Sequence, residues 1–140
     1  MSDHEVIVAP ELGQPVGFAH AIIPAAGATV YLGGQTALDS DGRIVGQTII
    51  EQFDRAAYNL VCAMRAAGCT GDDLVSLQIF CTDVREYRAS LRDLAPIWRR
   101  HFGRRYPAMG LFGVTRLFDD EARIELMGVA VRQSEEPNRV

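Results

Sequence analysis

The chain has 140 residues, 48 % of them apolar, and a formal charge of −4 with acidic and basic residues interspersed. This is the size of one domain with enough apolar material for a core. The mixed charge argues against the concentrated basic face of a nucleic-acid binder, and no run approaches the roughly 20 apolar residues of a membrane helix.

The polar start, Met1 to Glu5, lacks the character of a signal peptide. Cys62, Cys69 and Cys81 are odd in number and read as helix, helix-end and strand residues, which points to reduced thiols in a cytoplasmic protein. His4, His20 and His101 are scattered, with no metal-ligand spacing, so no metal is expected.

Pro10 to Pro15 reads as an exposed connection. Gly17 to Ile23 is a candidate strand that turns near Pro24–Gly27 to pair with a second strand, Thr29 to Leu38. The second strand carries Gly33-Gly34, the mark of a bulge or of a close approach to the backbone. Asp39 to Gly42 is a turn by composition. Thr48 and Glu51 form a capping-box pattern, followed by an apolar stripe from Ile49 to Ala67 with Gly68 as its stop.

Leu74 to Cys81 alternates, with Val75, Leu77, Ile79 and Cys81 on one face and Ser76 and Gln78 on the other. Residues 85 to 102 carry a second helical stripe ended by Gly103. Pro96 suggests that its main part begins near Asp93, placing the proline in a first turn. Gly110 to Leu117 and Arg123 to Val131 are the last strands, joined by the acidic turn Phe118 to Ala122. The final strand is apolar on both faces apart from Glu125, as befits the middle of a sheet. One domain over 1–132 and a disordered tail over 133–140 complete the reading. The helices would cover one sheet face and leave the other in need of a partner.

Several segments at these spacings resemble the Rid family (RidA/YjgF/UK114, also labelled L-PSP endoribonuclease). They are Leu32-Gly-Gly-Gln35, Asp41-Gly42, Gln52, Asn59-Leu60, Ala66-Ala-Gly68, Phe80-Cys-Thr-Asp83, Phe102-Gly103, Tyr106-Pro-Ala108, Ile124-Glu-Leu126 and Val129-Ala-Val131. The resemblance runs from about Gly17 to Val131. It implies an α+β chorismate-mutase-like fold, with a mixed six-stranded sheet and two helices on one face. It also implies a homotrimer with a barrel-like core and a small-molecule ligand in each inter-subunit cleft. Family members with the full motif hydrolyse reactive enamines and imines to 2-oxo acids and ammonia without a cofactor.

The resemblance also implies the site. The family's arginine, whose planar fork grips a substrate carboxylate, follows Pro-Ala; here Met109 stands there, before Gly110. Glu125 fits the carboxylate that handles a water, a role suited to proton transfer; a structural ion pair is the alternative. Phe18 takes the place of a tyrosine and keeps only its ring, for the cleft or for plain packing. Gly33 and Gly34 offer either room for ligand or a bulge. Cys81 adjoins the cleft-lining segment, though a buried thiol is the commoner reading. Arg105 reads as a solvated arginine, with substitution for the missing fork as its alternative, and His20 and His101 read as structural residues without evident partners.

Overall fold

The computed structural model describes residues 2–134. The elements in chain order are β1 (Glu5–Ile7), β2 (Ala21–Ile23), β3 (Gly27–Gln35), α1 (Ile49–Ala66), β4 (Leu74–Cys81), α2 (Val84–Ala89), α3 (Leu91–Phe102), β5 (Ala108–Gly113) and β6 (Ile124–Gln133), with a 3-10 turn at Gly71–Asp73.

The expected α+β class is present, with six strands and helices to one side. The strands are divided, however, between a four-stranded mixed sheet ordered β3-β6-β4-β5 and a separate β1-β2 ribbon. The expected pairing of the 17–23 segment with β3 is corrected. β2 pairs antiparallel with β1, and Ala19 instead bridges Ala108 at the outer edge of β5. The turn chemistry of Pro24–Gly27 favours local pairing, but Glu5–Ile7, distant in sequence, takes the edge of β2. β6 lies between β3 and β4 and is antiparallel to both, while β4 and β5 run parallel. A strand apolar on both faces thus occupies a central position.

α1 forms where the capping pattern placed it. Thr48 Oγ1 accepts from Glu51 N–H (3.1 Å), and the Glu51 carboxylate accepts from Gln47 N–H (3.3 Å). At the other end Gly68 has φ +83°, with Gly68 N–H donating to Arg65 O and Cys69 N–H to Met64 O. Those two bonds are a Schellman closure, which needs the left-handed residue that glycine supplies. The apolar stripe of α1 packs on β6, β3 and α3 and, with Leu77, Ile79, Ile124 and Leu126, forms the fully buried centre of the core. Buried Gln52 ties the far end of this layer: its amide donates to Gly46 O and Glu121 O and accepts from Arg123 N–H (2.7 Å).

The second helical stretch is two helices. Ser90 Oγ donates to Glu86 O (2.7 Å) and closes α2, and α3 starts at once at Leu91. Pro96 therefore lies inside α3, beyond the first turn expected of it, where it removes one backbone donor. Trp98 and Phe102 still pack at 4.5 Å between ring centroids, so the aromatic stripe holds the helix despite the proline. At the C-terminus the strand runs through Gln133, where a tail had been expected to begin, and Ser134 N–H donates to Ala26 O. The rest of that expected tail, residues 135–140, lies outside the described residues.

Gln133 joins a polar cluster that pins the N-terminal arm. His4 is buried; its Nδ1 accepts from Ala25 N–H (2.9 Å), which leaves the ring proton on Nε2 to donate to Asp73 Oδ1 (3.2 Å). Asp73 also accepts from Gln133 Nε2 and Thr70 N–H. Burial pulls the Asp73 pKa up, but these hydrogen bonds to the ionised form outweigh it and hold the carboxyl below its ordinary value. A carboxyl depressed in this way stabilises the fold above its unfolded pKa of about 3.9, and the contribution fades as pH falls through the folded value. Asp73→Asn is therefore expected to be less stable than the wild type above about pH 5, with the gap narrowing below about pH 4. Urea unfolding at both pH values checks this.

Candidate functional site

The period-two geometry of the strands sorts the candidate residues onto two sheet faces. On β6, Ile124, Leu126 and Ala130 are buried beneath the helices, so Glu125, Met127 and Val129 face the other way. Register extends this to the neighbours. Glu125 is level with Phe80 on β4, which is level with Phe112 on β5. Tyr31, Met127 and Phe112 are 83 %, 40 % and 49 % exposed on this open face.

Glu125 sits at one end of the open face, against the irregular part of β3. The β3–β6 register slips between Leu32 and Gln35, so Gly33-Gly34 is the bulge its composition suggested. A side chain built on Gly34 would collide with the Glu125 carboxylate, whereas Gly33 faces open space. The structure thus brings Gly34 and Glu125 together, with the glycine making room for the carboxylate. Among the described residues no hydrogen bond or ion pair engages that carboxylate, so the structural ion pair weighed from the sequence is not formed.

Two residues not singled out from the sequence complete this end of the face. The Phe80 and Phe112 rings stack with centroids 5.7 Å apart and planes 28° apart. Phe112 lies back over Gly110, where an added Cβ would come within 3.2 Å of its ring. Gly110 therefore serves as the bed of an aromatic platform beside Glu125. Only the register between β4 and β5 reveals this, since the two phenylalanines are far apart in sequence.

Met109 and Cys81 fall on the opposite, covered face. Met109 is level with Leu77 and packs against the core from the edge strand. Cys81 is fully buried, its thiol donating to Asp83 O (3.2 Å), and burial is the main cause that pushes its pKa up. It is a core thiol here and does not approach Glu125 from its own face.

Phe18 lies at the far end of the sheet, beside His20 in an open groove also lined by Val6, Pro15 and Tyr106. Ala19 is level with Ala108, while Glu125 is level with Phe112, four residues further on and three strand spacings across. At about 3.3 Å per residue and about 4.8 Å per strand, the two ends are roughly 20 Å apart in one protomer. Arg105, read as solvated, uses Nη1 to bond Ser2 O (3.1 Å) and His4 O (3.0 Å), so it fastens the N-terminal arm. The histidines read as partnerless both have partners: His20 Nδ1 accepts from Ala9 N–H, and His101 Nε2 lies 2.6 Å from Asp54. These contacts span loops that no local pattern connects.

The profile described as Endoribonuclease L-PSP matches residues 11–132, nearly the whole described fold. The chain belongs to this family, the Rid (YjgF/UK114) proteins. The human 2-iminobutanoate/2-iminopropanoate deaminase is 27 % identical to this Rid chain over 105 residues, covering 74 % of it and 73 % of the relative. The Dermatophagoides farinae protein of the same name is 27 % identical over 133 residues, covering 94 % and 98 %. Among solved structures, the Rid family protein YyfB from Yersinia pestis superposes with a TM-score of 0.81 at 29 % identity, covering 92 % of this chain and 98 % of that one. Imine deamination is thus an activity carried by relatives of this Rid chain.

The placement of Gly34 has a direct consequence. Its backbone is not left-handed, and the atom in the way is the end of a flexible side chain, so an alanine is tolerated by moving Glu125. Gly34→Ala is expected to change unfolding free energy by less than about 1 kcal/mol while displacing the carboxylate. Urea unfolding and a crystal structure of the variant check the two halves.

Proposed function

We propose that this Rid protein is a cofactor-free hydrolase of a reactive imine or enamine, or catalyses a closely related water addition, on a substrate other than the usual 2-imino acids. The observation that carries the reading is the unpartnered Glu125 carboxylate, seated over Gly34 on an open sheet face. Water loses a proton to Glu125 as its oxygen bonds to the imine carbon. The nitrogen takes up that proton to give a carbinolamine; Glu125 then passes the hydroxyl proton to nitrogen as the C–N bond breaks, ammonia leaves and the carbonyl forms. Peptide N–H groups on the free edge of β5 near Gly110 supply donors for the substrate.

In this reading the protein is a cytoplasmic homotrimer whose ligand clefts lie between protomers. The apolar open face supports assembly, because monomers rarely expose so much contiguous apolar surface. The separation of Phe18 from Glu125 supports a shared cleft: one small ligand can meet both residues only across a subunit boundary. No helix among the described residues is long and apolar enough to cross a membrane.

Met109 in place of the family's arginine favours a second reading, a trimer that binds a small molecule without turning it over. Ammonia release from a panel of imines and enamines separates the two. Glu125→Gln is expected to lower the rate about 10²–10⁴-fold; equal rates for variant and wild type on every substrate would leave the binding reading. Met109→Arg is expected to raise the rate on 2-imino acids. The arginine stem can keep Met109's packing while its head reaches out past the edge strand.

A further inference from the structure

The charge around Glu125 carries the reading further. None of three arginines reaches the carboxylate: Arg123, two residues before it on β6, is committed elsewhere, and Arg105 and Arg132 lie toward the opposite end of the sheet. Arg123 pairs with Glu86 and donates to Gln47 O, Arg105 holds the N-terminal arm, and Arg132 lies against Gly68 and reaches Ala67 O. Met109 brings no charge and points to the core. At this end the open face presents one carboxylate level with two stacked phenyl rings; among the described residues no ion pair engages that carboxylate, and the uncommitted arginine after β5, Arg116, is exposed beyond the strand. The Phe112 ring lies over Gly110, which has no side chain to lift it.

That combination has a defined preference. A carboxylate without a cation repels a second carboxylate, and aromatic faces attract cations through the negative lobe of the ring. A flat, delocalised cation gains from both at once, and an anionic ligand gains from neither. Resting on the site proposed above, we infer that it selects a planar organic cation without a carboxylate, such as a protonated imine on an apolar or aromatic frame, bound between Glu125 and the Phe80–Phe112 stack. The loss of the arginine is then a change of ligand charge class. For such a substrate the balance is R₂C=NH₂⁺ + H₂O → R₂C=O + NH₄⁺, with Glu125 relaying both protons of the water to nitrogen, one as the C–O bond forms and one as the C–N bond breaks.

Binding tests this separately from turnover. The purified full-length protein is titrated with benzamidinium and with benzoate, close in shape and opposite in charge, at low salt by NMR or calorimetry. Benzamidinium is expected to bind about tenfold or more tightly than benzoate. Glu125→Gln is expected to erase that preference, and Phe112→Leu to weaken benzamidinium about threefold or more. Tighter binding of benzoate, equal binding, or no binding of either would overturn the inference. If benzoate wins and Arg116→Ala abolishes its binding, the exposed arginine after β5 is the anchor and the site is of the anion type. Cation binding without ammonia release from any imine would uphold the inference and remove the hydrolase reading. Preferential hydrolysis of 2-imino acids would overturn the inference and, of the reading above, leave only the hydrolytic step.

Discussion

The structure depends on a central strand that is apolar on both faces in a sheet covered on only one. β6 runs between β3 and β4, and its Ile124, Leu126 and Ala130 are sealed under α1. Its Met127 and Val129 face outward with Tyr31 and Phe112. Water on that second face is unfavourable by about 25 cal/mol for each Å² of apolar surface left wet. Another copy of the chain, with the same exposed face, is the simplest cover. A group at the end of such a face then lies at a subunit boundary.

In the proposed assembly Glu125 is that group. Its position follows from parity along β6, and the room for its carboxylate follows from the missing side chain at Gly34. The β3 bulge is thus more than a structural irregularity: it lets a charged side chain stand beside the sheet without displacing the backbone. The same economy recurs at Gly110, whose bare surface lets Phe112 lie flat. Two glycines on different strands therefore shape one carboxylate and one aromatic platform, and charge and π-face are what this end of the sheet offers a ligand.

Much of the fold was legible in the sequence. Thr48, Glu51 and Gly68 mark α1 because caps are local chemistry, and the alternation of β4 from Leu77 to Cys81 follows from a period that any half-buried strand must obey; at Val75, expected on the core face, a register shift puts Leu74 in the core instead. The central place of β6 was also readable, since only such a strand tolerates apolar residues on both faces. The β1–β2 ribbon was not, because His4 and Arg105 hold it through bonds to residues far along the chain. The place of Glu125 on β6 and the Gly33-Gly34 bulge were legible. The covered orientation of Met109 was not, because it follows from its parallel register with Leu77 on β4. The burial of Cys81, the commoner reading from the sequence, was legible, as its own alternation groups it with Leu77 and Ile79. Phe80 and Phe112 escaped notice because neither is unusual alone and only strand pairing makes them neighbours.

Assembly is the claim on which the site rests, since Phe18 and Glu125 can share a ligand only if two protomers meet. The mass of the purified full-length protein in solution, by light scattering at micromolar concentration, tests it most directly. Three chain masses are expected, unchanged on moderate dilution. A single chain mass, with the apolar sheet face bare in water, would contradict the account.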